Sequence, residues 1–141
     1  MEQRERIESY FRACGHGSAQ DIAGHFTADA VIFDTNIDPM RTASGIGEAW
    51  TKVRDRWGGA EWFVDSFVSD GLTAAIEWSM TGREPKSNKA FVFRGSEHYS
   101  FAGNLNLISE IRQYWTLDLE RLDTGLVAYD HPAHAQEKSG Q

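Results

Sequence analysis

The sequence predicts an α+β domain in which helices come first and an antiparallel sheet follows. Three observations carry that expectation. Apolar residues recur at helical spacing in the segments before residue 58. From residue 61 to residue 117 they recur with period two instead. The boundary between the regimes is the pair Gly58-Gly59. With 141 residues, 40% hydrophobic and 12% aromatic, the chain is long enough to bury a real core as one domain.

The elements follow in order. From Glu2 to Cys14 the apolar positions Ile7, Tyr10, Phe11 and Cys14 form the i, i+3, i+4, i+7 row of one helix face, ended by Gly15-His16-Gly17. Ser18 starts a second helix with Asp21 three residues on as a variant capping box, its buried side carrying Ile22 and Phe26. Ala30 to Asp34 is β-branched and aromatic and reads as a strand. Thr35 to Ser44, with Pro39, reads as a loop. Ser44 or Gly45 opens a third helix whose stripe is Ile46, Trp50, Val53 and Trp57; Lys52, Arg54, Asp55 and Arg56 form its solvated charged face.

Glu61 to Ser69 is a strand closed by the hairpin signal Asp70-Gly71. Leu72 to Gly82 alternates, and a turn containing Pro85 follows. Lys89 to Phe101 alternates most cleanly. Phe91, Phe93, Gly95, Glu97, Tyr99 and Phe101 share one face; Ala90, Val92, Arg94, Ser96, His98 and Ser100 share the other. After Gly103-Asn104 a last strand carries Ile111, Gln113, Trp115 and Leu117 on one face and Glu110, Arg112, Tyr114 and Thr116 on the other. The domain is assigned to residues 1–122, and 123–141 to a tail expected to be mobile, because its composition lacks periodicity.

Composition excludes several functions. A formal net charge of −7 and a pI near 5.1 argue against a nucleic-acid or anionic-membrane surface. No apolar run approaches the ~18 residues of a membrane helix. The single cysteine, Cys14, excludes an intramolecular disulfide, and with an N-terminus lacking an apolar signal core it leads to a cytoplasmic expectation. The His131/His134 pair has ligand-like spacing but sits in a Pro-containing tail, and no other stretch has metal spacing or a phosphate-binding glycine loop. No cofactor and no metal are expected. Five Trp and eight Phe exceed what a minimal core requires, and an enclosed apolar cavity is one use for them.

The element order, together with Tyr10-Phe11-Arg12-Ala13, His25-Phe26-Thr27-Ala28-Asp29-Ala30-Val31, Gly95-Ser96-Glu97-His98-Tyr99-Ser100-Phe101 and Ile111-Arg112-Gln113-Tyr114-Trp115, resembles the nuclear transport factor 2-like superfamily. Within it the chain is most similar to SnoaL-like cyclases and ketosteroid isomerases. The resemblance implies a cone-like, curved antiparallel (mixed) sheet wrapped around three N-terminal helices and enclosing an apolar pocket. In the isomerases a helix tyrosine and a protonated acid hold an enolate while an aspartate moves the proton. Carried over, Tyr10 falls on the tyrosine and Asp34 on the base. Glu97 falls on the second acid if the hairpin 102–107 holds one extra residue; otherwise His98 does. Periodicity favours Glu97, which shares the aromatic face.

Substrate contacts are expected from Phe26, Trp50, Phe93, Tyr99, Gln113, Trp115 and His98, with Trp115 matching an apolar wall position of the family's pocket. Asn36 and Asp38 could bind a substrate polar group or position a water beside Asp34. Asn36 and Asp38 lie in a loop longer than its isomerase counterpart, and Glu97 stands where the isomerases carry aspartate; both changes bear on steroid specificity.

Each candidate has an ordinary alternative. Asp34 could cap the loop backbone. Glu97, one acid in a row of aromatics, should stay protonated or find a cation or donor if buried there, because ionising it is costly; its ordinary alternative is a bridge to Arg112 or Arg94, or exposure at the sheet edge. Tyr10 and Cys14 could be packing alone.

Three functions are carried forward. The first is a cofactor-independent isomerase, aldol-type cyclase or dehydratase acting on a small apolar carbonyl compound, of the kind found in secondary metabolism. The second is epoxide hydrolase-type water addition by Asp34, Asp38 and Glu97. The third is a non-catalytic binding or assembly module. A homodimer is expected through the outer sheet face, with Arg94, Glu110, Arg112 and Tyr114.

Overall fold

The structure, a computed structural model, describes residues 1–132. Helix α1 (Gln3–His16) buries Ile7, Tyr10, Phe11 and Cys14 along one face, as their spacing requires. Helix α2 (Ala19–Ala23) is held at its start by a reciprocal capping box. Ser18 Oγ accepts from the Asp21 N–H at 3.0 Å, and Asp21 Oδ2 from the Ser18 N–H at 2.9 Å.

This helix is shorter than expected. Phe26, which the sequence places on its buried side, instead opens strand β1 (Phe26–Asp34), four residues before the expected start. The physical reason is a partner the local sequence does not contain. The carbonyl of His25 accepts from Ile108 N–H at 2.9 Å, and β1 runs on in parallel beside a later strand.

The expected loop holds a two-residue strand, β2 (Met40–Arg41), antiparallel to Ile32 and Val31. Helix α3 (Ala43–Arg56) follows, its first turn capped by Thr42 Oγ1, which accepts from Gly45 N–H at 3.1 Å. Strands β3 (Glu61–Ser69), β4 (Thr73–Arg83), β5 (Ala90–Ala102) and β6 (Leu107–Trp115) form the antiparallel meander. The last strand stops short of the period-two pattern, leaving Leu117 beyond it and 40% exposed.

The six strands form one mixed sheet in the order β2-β1-β6-β5-β4-β3. Register shifts at Val64/Ser66 and Ser100/Phe101 mark bulges, which bend and twist a sheet. The sheet curves around the helices, with α1 against β3 and α3 against β1, and the hydrophobic core lies between.

Beyond β6 the tail composition does not leave the domain at once. Strand β6 covers β5 only from Gly95 onward. Residues 122–124 take the remaining edge: Val92 N–H donates to the Leu122 carbonyl at 2.7 Å and Thr124 N–H to the Val92 carbonyl at 3.1 Å. Residues 122–132 thus form a strap, and Arg94, placed by alternation on an open outer face, is buried near it. His134 lies outside the described residues. No helix among the described residues is long and apolar enough to cross a membrane.

Candidate active site

Strand register sets the geometry of the site. Gln113 on β6 is the direct partner of Asp34 on β1 and of Glu97 on β5. Direct partners share a sheet face, so Asp34, Gln113 and Glu97 form one row facing the helices. Two strand spacings separate the Cα atoms of the acids, roughly 10 Å. Their carboxyl groups line the same cavity, of about 350 Å³.

Asp34 ends β1 as a collection point for N–H donors. Its Oδ2 accepts from the Gln113 side-chain amide and, at 2.8 Å, from the Trp115 indole N–H; its Oδ1 accepts from the Asn36 backbone N–H at 2.6 Å. An acceptor-only carboxylate completes such a set. The Asn36 bond is the turn-capping role expected of a strand-end aspartate; the other two donors converge from across the sheet. Thr35 Oγ1 donates to the Trp115 carbonyl at 2.6 Å and fixes the loop to β6.

Glu97 is the opposite case. It is 3% exposed, and burial pushes its carboxyl up to about 8, with the Tyr99 hydroxyl (3.3 Å away) working against that rise and the Asp34 charge adding to it. At neutral pH it is mostly a carboxylic acid and therefore a donor. The sequence left Glu97 and His98 as alternatives. Glu97 lines the cavity, whereas His98 is exposed on the other face, edge-on to the Tyr114 ring at 5.9 Å.

Tyr10 reaches the cavity from α1, its hydroxyl within hydrogen-bond reach of the Cys14 thiol. Burial, with Cys14, Tyr99 and Glu97 beside it, holds this phenol well above its ordinary range, so it too stays protonated. Phe26 packs edge-on against it at 5.0 Å, behind the cavity wall.

The remaining wall is aromatic. All five tryptophans of the chain (Trp50, Trp57, Trp62, Trp78 and Trp115) line this one cavity. Gly95 makes room for two of them. A Cβ there would lie 2.8 Å from both the Trp78 ring and Trp115 Cβ, and 2.6 Å from the Tyr114 carbonyl. The indole N–H groups of Trp50 and Trp78 are buried without an acceptor among the described residues. The exposed lining residues Asn36, Ile37, Arg56 and Leu117 mark the mouth.

Of the expected residues, Tyr10, Asp34, Asn36, Trp50, Phe93, Glu97, Gln113 and Trp115 line the cavity together. Phe26 and Tyr99 are buried outside the lining, in contact with Tyr10 and Glu97 respectively. Asp38 is exposed in the loop and does not line it.

Sequence reasoning missed Arg56, assigned to the solvated face of the third helix. Its spacing of three from Val53 was the available signal, because it places Arg56 at the edge of the buried stripe. Among the described residues no three His, Cys, Asp or Glu side chains are grouped so as to hold a metal ion.

Residues 7–111 match the sequence profile of the SnoaL-like domain. No curated protein matches the chain. Among solved structures it is similar to a protein with a ketosteroid isomerase-like fold from Catenulispora acidiphila DSM 44928, in complex with trimethylamine. That match has TM-score 0.74 and 15% identity over 82% of this chain and 88% of that one. It is similar to an epoxide hydrolase/cyclase-like enzyme of pyran ring formation in the polyether salinomycin (TM-score 0.70, 15% identity, 82% and 91% covered). A protein from Shewanella denitrificans OS-217 described as a SnoaL-like polyketide cyclase aligns with TM-score 0.67 and 11% identity over 81% and 90%. At these identities the likeness is one of fold.

Proposed function

We propose, from the premise that the chain belongs to the SnoaL-like domain family, that it is a cofactor-independent proton-transfer enzyme acting on a small, mostly apolar carbonyl compound. One observation carries the reading: Asp34, gathered by three N–H donors, and Glu97, buried and pushed up to about 8, line one aromatic cavity. The substrate carbonyl oxygen would take hydrogen bonds from neutral Glu97 and Tyr10. Asp34 would remove a proton from the carbon beside that carbonyl, its pair of C–H electrons moving into the enolate that the two donors hold.

Three outcomes share this step. Return of the proton to another carbon gives isomerisation. Attack of the enolate on a second carbonyl gives aldol-type cyclisation. Loss of a neighbouring hydroxyl, protonated as it leaves, gives dehydration.

The enolate donors supply much of the driving force for removing the proton. The test is exchange of α-hydrogen for deuterium in heavy water, followed by mass spectrometry on a panel of small cyclic ketones. Wild-type protein should accelerate exchange, and Asp34→Asn should lose about 10²–10⁴-fold of it while keeping the fold. Equal exchange by both proteins would remove Asp34 from this role.

A second reading is favoured by the space between the two acids. Asp34 could activate a water held there while Glu97 protonates an epoxide oxygen. Asp38, expected as a third member, lies outside the cavity and takes no part. Oxygen from ¹⁸O-labelled water would appear in the diol product under this reading and in no product of isomerisation.

A further inference from the structure

One buried charge takes no part in this chemistry. Arg94 stands on β5 facing away from the cavity, its side chain only 5% exposed. Its Nε meets Asp123 Oδ1 at 3.4 Å, long for a charge-assisted bond, and the Asp123 side chain is 58% exposed. Nη1 and Nη2 are buried and have no acceptor among the described residues. A guanidinium left half-paired in the interior destabilises a fold relative to an apolar side chain of the same size.

Arg94 lines a pocket of about 270 Å³ between the outer sheet face and the strap, with Ser96, Tyr114, Thr124, Tyr129 and His131. The strap meets it closely at Gly125, where a Cβ would fall 2.8 Å from Arg94 Cδ and Nε. What ties the strap to β5 is a short set of bonds at its start. Val92 N–H donates to the Leu122 carbonyl, Thr124 N–H to the Val92 carbonyl, and Arg94 N–H to Thr124 Oγ1 at 3.1 Å, while Leu126 N–H, donating to His131 Nε2 at 2.9 Å, bonds only within the strap. Its large apolar side chains Leu126, Val127 and Tyr129 stay exposed. A segment held this way opens locally at little cost.

We propose that this pocket is a second binding site, for a small aromatic monocarboxylate, with Nη1 and Nη2 of Arg94 taking the two carboxylate oxygens. The planar fork matches a carboxylate in two parallel bonds. Tyr114 and Tyr129 offer a flat apolar body its contacts. Two acids share the wall: Asp65, which accepts from Ser79 Oγ at 3.1 Å, and Glu77, which accepts from Ser66 Oγ at 2.9 Å. Their charge opposes any anion but weighs more heavily on a doubly charged phosphate than on a singly charged carboxylate. The strap lifts to admit the ligand and reseats over it.

Calorimetric titration of the full chain with benzoate, its neutral isostere benzamide and inorganic phosphate tests the site. Benzoate should bind wild type more tightly than benzamide and phosphate do. Arg94→Met should weaken it about tenfold or more, and Arg94→Lys, which keeps the charge but not the fork, by less. Glu97→Gln should leave benzoate affinity unchanged, which separates this pocket from the central cavity. Without benzoate, Arg94→Met should melt no lower than wild type, because the charge it removes was half-paired. Equal binding of benzoate and benzamide, tighter binding of phosphate, or full affinity in Arg94→Met would overturn the proposal. So would failure of Arg94→Met to fold or a markedly lower melting temperature.

Discussion

Glu97 must hold a proton to donate to an enolate, and its surroundings set where that ends. With its carboxyl raised to about 8, activity should be level across neutral pH and fall as pH rises through about 8. Glu97→Gln keeps an N–H donor at every pH, so its weaker activity should lose that alkaline limb; a limb unchanged in the variant would assign it elsewhere. Stability follows the same proton. An unfolded glutamate ionises near 4.5 while the folded one keeps its proton to about 8. The fold therefore binds more protons between those values, and its stability should decline across that window by on the order of 1 kcal/mol per pH unit, then level off. Urea denaturation of wild type and Glu97→Gln from pH 5 to 9 measures this, and parallel curves would contradict it. Glu97 was legible as one acid in a row of aromatics. The donors Gln113 and Trp115 were legible as same-face residues and expected substrate contacts, not as partners of Asp34. Their bonds to Asp34 depend on cross-strand register, which no local pattern encodes.

Among the elements, β5 shapes the site most, through a residue it lacks a side chain to show. Gly95→Ala places a methyl group within 2.8 Å of the Trp78 ring and Trp115 Cβ. Overpacking of this kind costs about 1–3 kcal/mol, so the variant should melt several degrees lower and lose catalysis through the displaced Trp115–Asp34 bond. An unchanged melting curve and turnover would show that the sheet gives way elsewhere. Strong periodicity made α1, α3 and the four meander strands readable from sequence. The early start of β1, the short β2 and the bonding of residues 122–124 were not, since each depends on an edge offered by a distant strand. The same dependence misplaced Phe26 and hid the covering of Arg94.

For the whole molecule, the outer sheet face remains the proposed homodimer surface, now without Arg94. Tyr114 is 51% and Phe33 39% exposed there, beside the paired Glu110 and Arg112 at 2.8 Å. Sedimentation at micromolar concentration should give twice the chain mass, and Tyr114→Glu should shift the population to monomer; a wild-type monomer would contradict the surface.

The gathering of every tryptophan around one cavity has an optical consequence. Nearly all of the protein's ultraviolet emission arises from the walls of the candidate site, within reach of the ionisable Glu97 and of any occupant. Unlabelled protein is thus its own fluorescent reporter. A bound ketone that quenches indoles should darken the whole spectrum rather than a fraction of it, allowing a substrate search by emission alone.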